Sequence, residues 1–205
     1  MVFLHIPKTA GTTFLEVLDN VHGGRVCRGY GGPGEVELNP DFHTCLAGHL
    51  KASSRDLRAL NPLEHQYVTW LRDPVDRLIS HYNYLKYKTT TMTSVVRHIR
   101  EDGMTFGEFL ELPRFVNFQC QYLDGLTFND LFFTGIVELF SMSMLNFFDI
   151  LSIEPFNIIP RRVNDTKDTV TKTELDLLSS LNKDDILLYN NWRRMAVNEM
   201  KENML

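Results

Sequence analysis

The sequence has few cysteines and no long apolar segment. Only three of its 205 residues are cysteines, and Cys27, Cys45 and Cys120 have none of the spacings typical of zinc sites. Their odd number favours reduced thiols over a disulfide framework. No apolar run reaches the roughly 20 residues that a membrane-spanning helix needs, and no signal-peptide pattern precedes the first apolar run. We therefore expect no membrane segment, and a cytoplasmic location if the chain is complete.

Positive charge is not in excess either. The chain has 21 Lys and Arg against 26 Asp and Glu, which gives a formal net charge of −5. This balance argues against non-specific nucleic-acid binding, which depends on basic surfaces. The hydrophobic share of 43% is ordinary for a globular protein, and the sequence shows neither an internal repeat nor a linker. We expect a single domain over residues 1–205.

The first apolar run leads into a short polar loop. Residues 2–6 predict a buried parallel strand, and Pro7 ends it because proline cannot donate to a sheet ladder. Residues 8–13 form the loop, with Gly11 as its expected flexible point, and helical spacing of apolar residues follows from Phe14. A strand, a tight loop and a helix aim backbone N–H groups and a positive helix end at an anion. We predict a phosphate or sulfate site here; the alternative is an ordinary connection with a surface lysine.

This loop lacks both common nucleotide-binding signatures. The pattern G-x-x-x-x-G-K-[ST] places a lysine after its second glycine, whereas Lys8 precedes Gly11, the one glycine of the loop. The dinucleotide pattern G-x-G-x-x-G is also absent from this turn. Any anion site here is therefore neither a Walker A loop nor a dinucleotide-binding turn.

A second segment, residues 66–80, carries another potential anion site. Residues 66–71 predict a strand from their β-branched and aromatic content, and the strand delivers Arg72 to the edge of the sheet. Asp73 is expected to cap the following helix, with Pro74 at its first position. Arg72 can bind a phosphate with two hydrogen bonds. Arg77 is expected to be structural and paired with Asp73 or Asp76.

Both segments resemble motifs of one family. Residues 5–14, HIPKTAGTTF, resemble the 5′-phosphosulfate loop of sulfotransferases that use 3′-phosphoadenosine 5′-phosphosulfate (PAPS), and residues 71–80, LRDPVDRLIS, resemble their 3′-phosphate motif. The similarity is greatest to the heparan sulfate 2-O- and 6-O-sulfotransferase branch. It implies an α/β fold with a central, mostly parallel sheet flanked by helices, the P-loop-kinase-like sulfotransferase fold. It also implies that PAPS contacts Lys8, Thr9, Ala10, Gly11, Thr12, Thr13, Phe14, Arg72 and Ser80.

The resemblance extends to a candidate base. Residues 44–49 predict a short strand that ends in Gly48-His49, and a Gly-His pair at this point supplies the base in the 2-O-sulfotransferase branch. Histidine titrates near neutrality and can take a hydroxyl proton. The alternatives are a histidine that merely packs or caps, and His81 as the base. Basic residues near this strand could form a rim for an acidic acceptor or a solvated surface: Arg25, Arg28, Lys51, Arg55 and Arg58.

The second half of the chain matches the family more loosely. Residues 131–138 predict a strand with the family's Gly-x-x-Glu at Gly135 and Glu138, and residues 158–166 predict a last strand and loop. By the resemblance this loop would place Arg162 and Asn164 against the adenosine or its 3′-phosphate. Short helices are expected over residues 95–132. Their aromatic residues are expected in the core, with a platform for a sugar as the alternative: Phe106, Phe109, Phe115, Phe118 and Tyr122.

Together these features imply sulfonate transfer from PAPS to an acceptor hydroxyl, with a carbohydrate as the expected acceptor and PAP as the product. His49 would take the hydroxyl proton and Lys8 would stabilise the developing charge, and no metal is needed. One alternative is a nucleotide kinase-like phosphotransferase, which would need Mg²⁺ and a carboxylate to hold it. Another is a non-catalytic nucleotide-binding module. The resemblance also allows a trimmed catalytic domain, for which we would expect the Golgi lumen.

Overall fold

The computed structural model describes residues 1–29, 39, 41–53, 57, 65–159 and 170–203. The strands in this part of the chain are β1 (Val2–Leu4), β2 (Val26–Gly29), β3 (Cys45–Gly48), β4 (Tyr67–Leu71) and β5 (Leu131–Ile136). The α-helices in it are α1 (Gly11–Val21), α2 (Pro74–Tyr87), α3 (Ser94–Arg100), α4 (Phe106–Leu110), α5 (Phe118–Leu123), α6 (Phe140–Ile150), α7 (Lys172–Leu181) and α8 (Lys183–Asn203). Short 3₁₀ turns cover Pro113–Phe115, Phe128–Asp130 and Val137–Leu139.

The strands form one sheet in the order β2-β3-β1-β4-β5, and every neighbouring pair is parallel. β1 lies at the centre, where Val2 pairs with Leu46 of β3 on one side and with Tyr67 of β4 on the other. Because parallel strands need crossover connections, helices cover the sheet. The predicted α/β fold with a parallel central sheet and flanking helices is confirmed.

Apolar side chains of the strands alternate between the two faces of the sheet, as a two-residue period requires. Phe3 of β1 packs on one face with Phe14 of α1 and Phe147 of α6. Leu4 packs on the other face with residues of α2, α4, α5, α7 and α8. Cores on both faces hold β1 rigidly, and with it the loop that follows. The aromatic residues predicted as core over residues 106–122 are buried there.

Several predicted boundaries differ from the structure. The first strand ends at Leu4, before Pro7, and the strand predicted over residues 131–138 ends at Ile136. The edge strand β2 has no counterpart in the sequence prediction, because its four residues include an exposed Arg28 and a glycine. The last predicted strand is wrong at its start, since Ile158 and Ile159 lie in irregular structure; the rest of it lies outside the described residues.

The helix after Arg72 follows its prediction closely. The Asp73 carboxylate accepts hydrogen bonds from the N–H groups of Val75 and Asp76, at 2.9 and 3.2 Å, and Pro74 occupies the first turn. Such a cap contributes about 1 kcal/mol to helix stability. It fixes where α2 begins, immediately after Arg72. Among the helices described, none has the length and apolar character that crossing a bilayer would take.

Candidate active site

The carboxyl ends of β1, β3 and β4 lie side by side, because these three strands are parallel neighbours. Lys8 lies in the segment after β1, His49 directly follows β3, and Arg72 directly follows β4. In open parallel sheets, ligands bind beyond this edge. The fold therefore brings three residues that the sequence singled out separately to one edge of the sheet.

The loop between β1 and α1 has a strained backbone. Lys8 and Ala10 have φ angles of 73° and 61°, a left-handed conformation that costs a non-glycine residue about 1–3 kcal/mol. Left-handed residues in a tight loop turn backbone N–H groups into a concave arrangement that suits an anion. Gly11 is not the flexible point that we predicted, because it is the first residue of α1. Its glycine is needed for close packing, since a Cβ there would overlap the imidazole of His5.

Several loop side chains point into the protein. The hydroxyl of Thr9 is fully buried and donates to the carbonyl of Ile6 at 2.8 Å. The Phe14 ring lies in the core against Phe3 and Trp70. These residues shape the loop from inside, so any contact of Thr9 or Phe14 with an anion would have to come from the backbone.

Lys8 and Arg72 form the basic part of the site. The Lys8 ammonium lies over the ring of Tyr84 on α2, 4.3 Å from the ring centroid. Nη1 of Arg72 donates to the carbonyl of Lys8 at 3.4 Å, so the two motifs are in direct contact. Nε of Arg72 is buried and has no hydrogen-bond partner within the part of the chain that the structure describes. An oxygen-rich anion could satisfy this donor.

A buried glutamine holds the backbone of Arg72. Gln119 of α5 accepts from the Arg72 N–H at 3.1 Å and donates to the Arg72 carbonyl at 2.9 Å. Asp185 of α8, itself fully buried, accepts from the N–H groups of Gln119 and Cys120 at 3.0 and 2.8 Å. The end of β4 is thereby fixed through α5 to α8.

His5 and His49 lie against each other at the same edge, with their rings tilted by 39°. The two ring centroids are 4.5 Å apart, and Nδ1 of His49 lies 2.8 Å from the carbonyl oxygen of His5. A carbonyl oxygen can only accept, so Nδ1 carries a proton and donates it, which makes Nε2 of the neutral ring the proton acceptor. Desolvation by the surrounding protein lowers the pKa of His49 below its usual value, although the residue as a whole is exposed. Burial, with the charges of His49 and Lys8, lowers the pKa of His5 to about 3.

Arg77 and His81 form a buried pair on α2. Nη1 of Arg77 lies 3.3 Å from Nδ1 of His81, and the guanidinium lies 4.4 Å from the centroid of the Phe118 ring. Nε and Nη2 of Arg77 have no hydrogen-bond partner in the described residues. Burial lowers the pKa of Arg77 to about 10, while the charge of Asp185 opposes that shift. The predicted pairing of Arg77 with Asp73 or Asp76 is wrong, because α2 turns the guanidinium inward toward α5.

A family model described as "Sulfotransferase family" matches residues 1–130. The chain belongs to the sulfotransferase family. The match includes both segments that were predicted to bind an anion, together with His49 and Ser80, whereas β5 and the helices after it lie outside. A comparison with curated proteins found no match.

Not every predicted residue of this sulfotransferase has a defined place in the site. Ser80 is buried on α2, next to His81. Arg28 pairs with Asp19 of α1. Arg25 directly precedes β2, at the amino ends of the strands, so it does not belong to an acceptor rim at the carboxyl edge. Lys51 donates to Gln121 of α5 at 3.0 Å. Four predicted site or rim residues lie outside the described part of the chain: Arg55, Arg58, Arg162 and Asn164.

The structure adds residues to the sulfotransferase site that sequence reasoning did not assign. Glu138 accepts from the Asp73 N–H at 2.9 Å and from the Tyr189 hydroxyl at 2.7 Å, so it joins the start of α2 to α8. The Gly-x-x-Glu spacing pointed to this residue without giving its role. No local sequence pattern pointed to a role for Gln119 or Asp185 in the site. Within the described ranges, no group of three or more His, Cys, Asp or Glu residues could hold a metal ion.

Proposed function

We propose that this sulfotransferase moves a sulfonate group from PAPS to an acceptor hydroxyl, with a carbohydrate as the acceptor. The single observation that carries the proposal is the convergence of Lys8, Arg72 and His49 at one edge of the sheet. Lys8 and Arg72 offer positive charge and hydrogen-bond donors to a phosphosulfate and a phosphate, and His49 offers a base. Family membership supports sulfonate transfer in general.

The donor would be held by the two motifs. Lys8 and the first backbone N–H groups of α1 suit the 5′-phosphosulfate, because a left-handed loop and a positive helix end favour an anion. Arg72 suits the 3′-phosphate, because its buried Nε has no hydrogen-bond partner among the described residues. Ser80 would add a hydroxyl donor from α2.

The acceptor hydroxyl would lose its proton to Nε2 of His49. As the acceptor oxygen bonds to sulfur, the bond between sulfur and the bridging phosphate oxygen breaks, and the charge that develops on that oxygen stays with the leaving PAP. Lys8 would stabilise this charge, which is the electrostatic contribution expected in group transfer. The hydrogen bond from His49 Nδ1 to the His5 carbonyl fixes the tautomer that this step needs.

A thermal-shift assay with two ligands tests the proposed donor against its main rival. PAP without metal should raise the melting temperature, because a ligand at a hundred times its dissociation constant stabilises the native state by about 2.7 kcal/mol. ATP with Mg²⁺ should have a smaller effect. Stabilisation by ATP with Mg²⁺ alone would favour a phosphotransferase and contradict the proposal.

Transfer itself is measured with PAPS carrying a labelled sulfonate. We expect label in carbohydrate hydroxyls when glycans, phenols and lipids are offered in parallel. Label in phenols or lipids alone would support sulfonate transfer from PAPS but would contradict a carbohydrate acceptor. A protein that binds PAP yet labels no acceptor in the three classes would be a nucleotide-binding module.

A further inference from the structure

Three aromatic rings surround the imidazole of His81, and basic residues lie near it. The rings of Phe115, Phe118 and Phe109 pack edge-on against the imidazole, with centroids 5.0, 5.6 and 6.2 Å away. Only 8% of the residue is accessible. The ring therefore has a fixed orientation, and its two nitrogen atoms face different surroundings.

Arg77 decides which nitrogen atom carries the proton. A guanidinium can only donate hydrogen bonds, so the contact at 3.3 Å makes Nδ1 of His81 the acceptor. The neutral ring then has its proton on Nε2. Burial and the charges of Arg77, Lys8, His49 and Arg114 all lower the pKa of His81, well below the usual value, so the ring stays neutral at physiological pH. His81 is consequently a donor at Nε2 and a poor candidate for the base.

His81 lies on the side of α2 that Lys8 contacts. Tyr84, whose ring carries the Lys8 ammonium, follows His81 by three residues on α2, so the two side chains lie on one side of that helix. Within the residues that the structure describes, the charges that lower the pKa of His81 are those of Arg77, Lys8, His49 and Arg114. A donor beside such groups is complementary to an oxyanion.

We propose that His81, held by Arg77 as the Nε2–H tautomer, donates a hydrogen bond to a sulfonate oxygen during transfer. The inference rests on the proposed function, since it assigns the sulfonate as the oxyanion. His81 is then a catalytic residue that exchanges no proton, and Arg77 is a positioning residue that acts through it. The hydroxyl proton still goes to His49.

Two amide substitutions separate this role from a structural one. The side chain of His81→Asn can still accept from Arg77 near the Nδ1 position but has no group at the Nε2 position. The side chain of His81→Gln reaches the Nε2 position and can donate there. We expect His81→Asn to lower kcat by about 10²–10³-fold, the usual effect of removing an oxyanion donor, and His81→Gln to retain most of the rate. Both variants should bind PAP as tightly as the parent does, because PAP carries no sulfonate for His81 to contact.

The opposite order of rates, or equal rates for the two variants, would overturn the inference. The acid side of the pH–rate profile should persist in His81→Gln, because that side is assigned to His49. Its disappearance in this variant would make His81 the base and would also overturn it. Melting temperatures of both variants confirm that rates are compared for folded protein.

Nitrogen-15 NMR of histidine-labelled protein tests the tautomer without turnover. Nδ1 of His81 should be unprotonated and Nε2 protonated from pH 5 to pH 8, and Arg77→Met should abolish this preference. A protonated Nδ1 in the parent would overturn the inference even in an active sulfotransferase. A protein with the expected tautomer that transfers no sulfonate would instead contradict the proposed function. If Arg77→Met does not fold, the parent spectrum and the two amide variants still decide.

Discussion

At the scale of single residues, the site depends on which atoms of two histidines are protonated. His49 donates from Nδ1 to the His5 carbonyl, and His81 accepts at Nδ1 from Arg77. The two histidines are therefore opposite tautomers: Nε2 of His49 is a proton acceptor, and Nε2 of His81 is a hydrogen-bond donor. Each assignment follows from a partner that can only accept or only donate.

His49→Asn tests the base with the least structural change. The asparagine amide can still donate to the His5 carbonyl, but nothing replaces Nε2. Turnover should fall about 10²–10⁴-fold, the usual range for a positioned acid–base group, while affinity for PAP stays at the parent value. The parent should lose rate as pH falls through a pKa lower than that of an ordinary histidine, because desolvation lowers the pKa of His49.

The control for this variant is His98→Asn, which changes an exposed histidine on α3. It should match the parent in rate and in pH profile. Parent-like turnover in His49→Asn would show that another group takes the proton.

Arg72→Ala tests the contact with the 3′-phosphate. The variant should weaken PAP binding by roughly the 1.5–3 kcal/mol of a charged hydrogen bond. Adenosine 5′-phosphosulfate, which lacks the 3′-phosphate, should lose much less affinity. Isothermal titration with both ligands measures the difference, and Arg97→Ala, an exposed position on α3, is the matched control. Equal weakening of the two ligands would mean that Arg72 acts by holding the Lys8 loop through its bond to the Lys8 carbonyl.

At the scale of elements, the sequence predicts what local patterns encode. Four of the five strands described, the cap at Asp73 and the helix after it follow from periodicity, proline and capping residues. The motif resemblance pointed to Lys8, Arg72 and His49, and the strand order brings these residues to one edge. These features depend on residues that are close in sequence or on a fold class with a fixed ligand edge.

Contacts between distant elements were not predictable in this way. Gln119 and Asp185 brace Arg72 across 47 and more residues, and an isolated Gln or Asp in a helix has no pattern that reveals such a partner. Arg77 was assigned to nearby carboxylates because helix neighbours were the only candidates visible in the sequence. The direction of its side chain depends on the packing of α2 against α5, which no local rule fixes.

The role of Gly11 also depends on a contact that the sequence does not reveal. A glycine in a polar loop suggests conformational freedom, yet the left-handed residues of this loop are Lys8 and Ala10. The reason for Gly11 is the His5 ring against its Cα, a contact across the loop that only the folded arrangement creates.

At the scale of the whole molecule, we expect four histidines to make the protein sensitive to acid. Burial and neighbouring charges lower the pKa values of His5, His22, His49 and His81 in the fold. Below about pH 6.5 the unfolded chain therefore binds more protons at these residues than the native state does. Stability is therefore fully present above pH 6.5 and falls as pH decreases, and for His5 this continues to about pH 3.

We expect the free energy of unfolding to fall steeply between pH 7 and pH 5. Each histidine that stays neutral in the fold contributes a slope of up to about 1.4 kcal/mol per pH unit. The carboxyl groups with lowered pKa values, Glu108, Asp130 and Glu174, should add to the loss only at lower pH, because their usual values are 4.5 or below. Urea unfolding at several pH values in this range measures the slope. His81→Asn should reduce it by the share of one histidine, since burial and the charges of Arg77, Lys8 and Arg114 oppose protonation of His81 in the native state alone. A slope that is the same in the parent and in His81→Asn would mean that His81 takes up a proton in the folded protein, against the neutral state assigned to it.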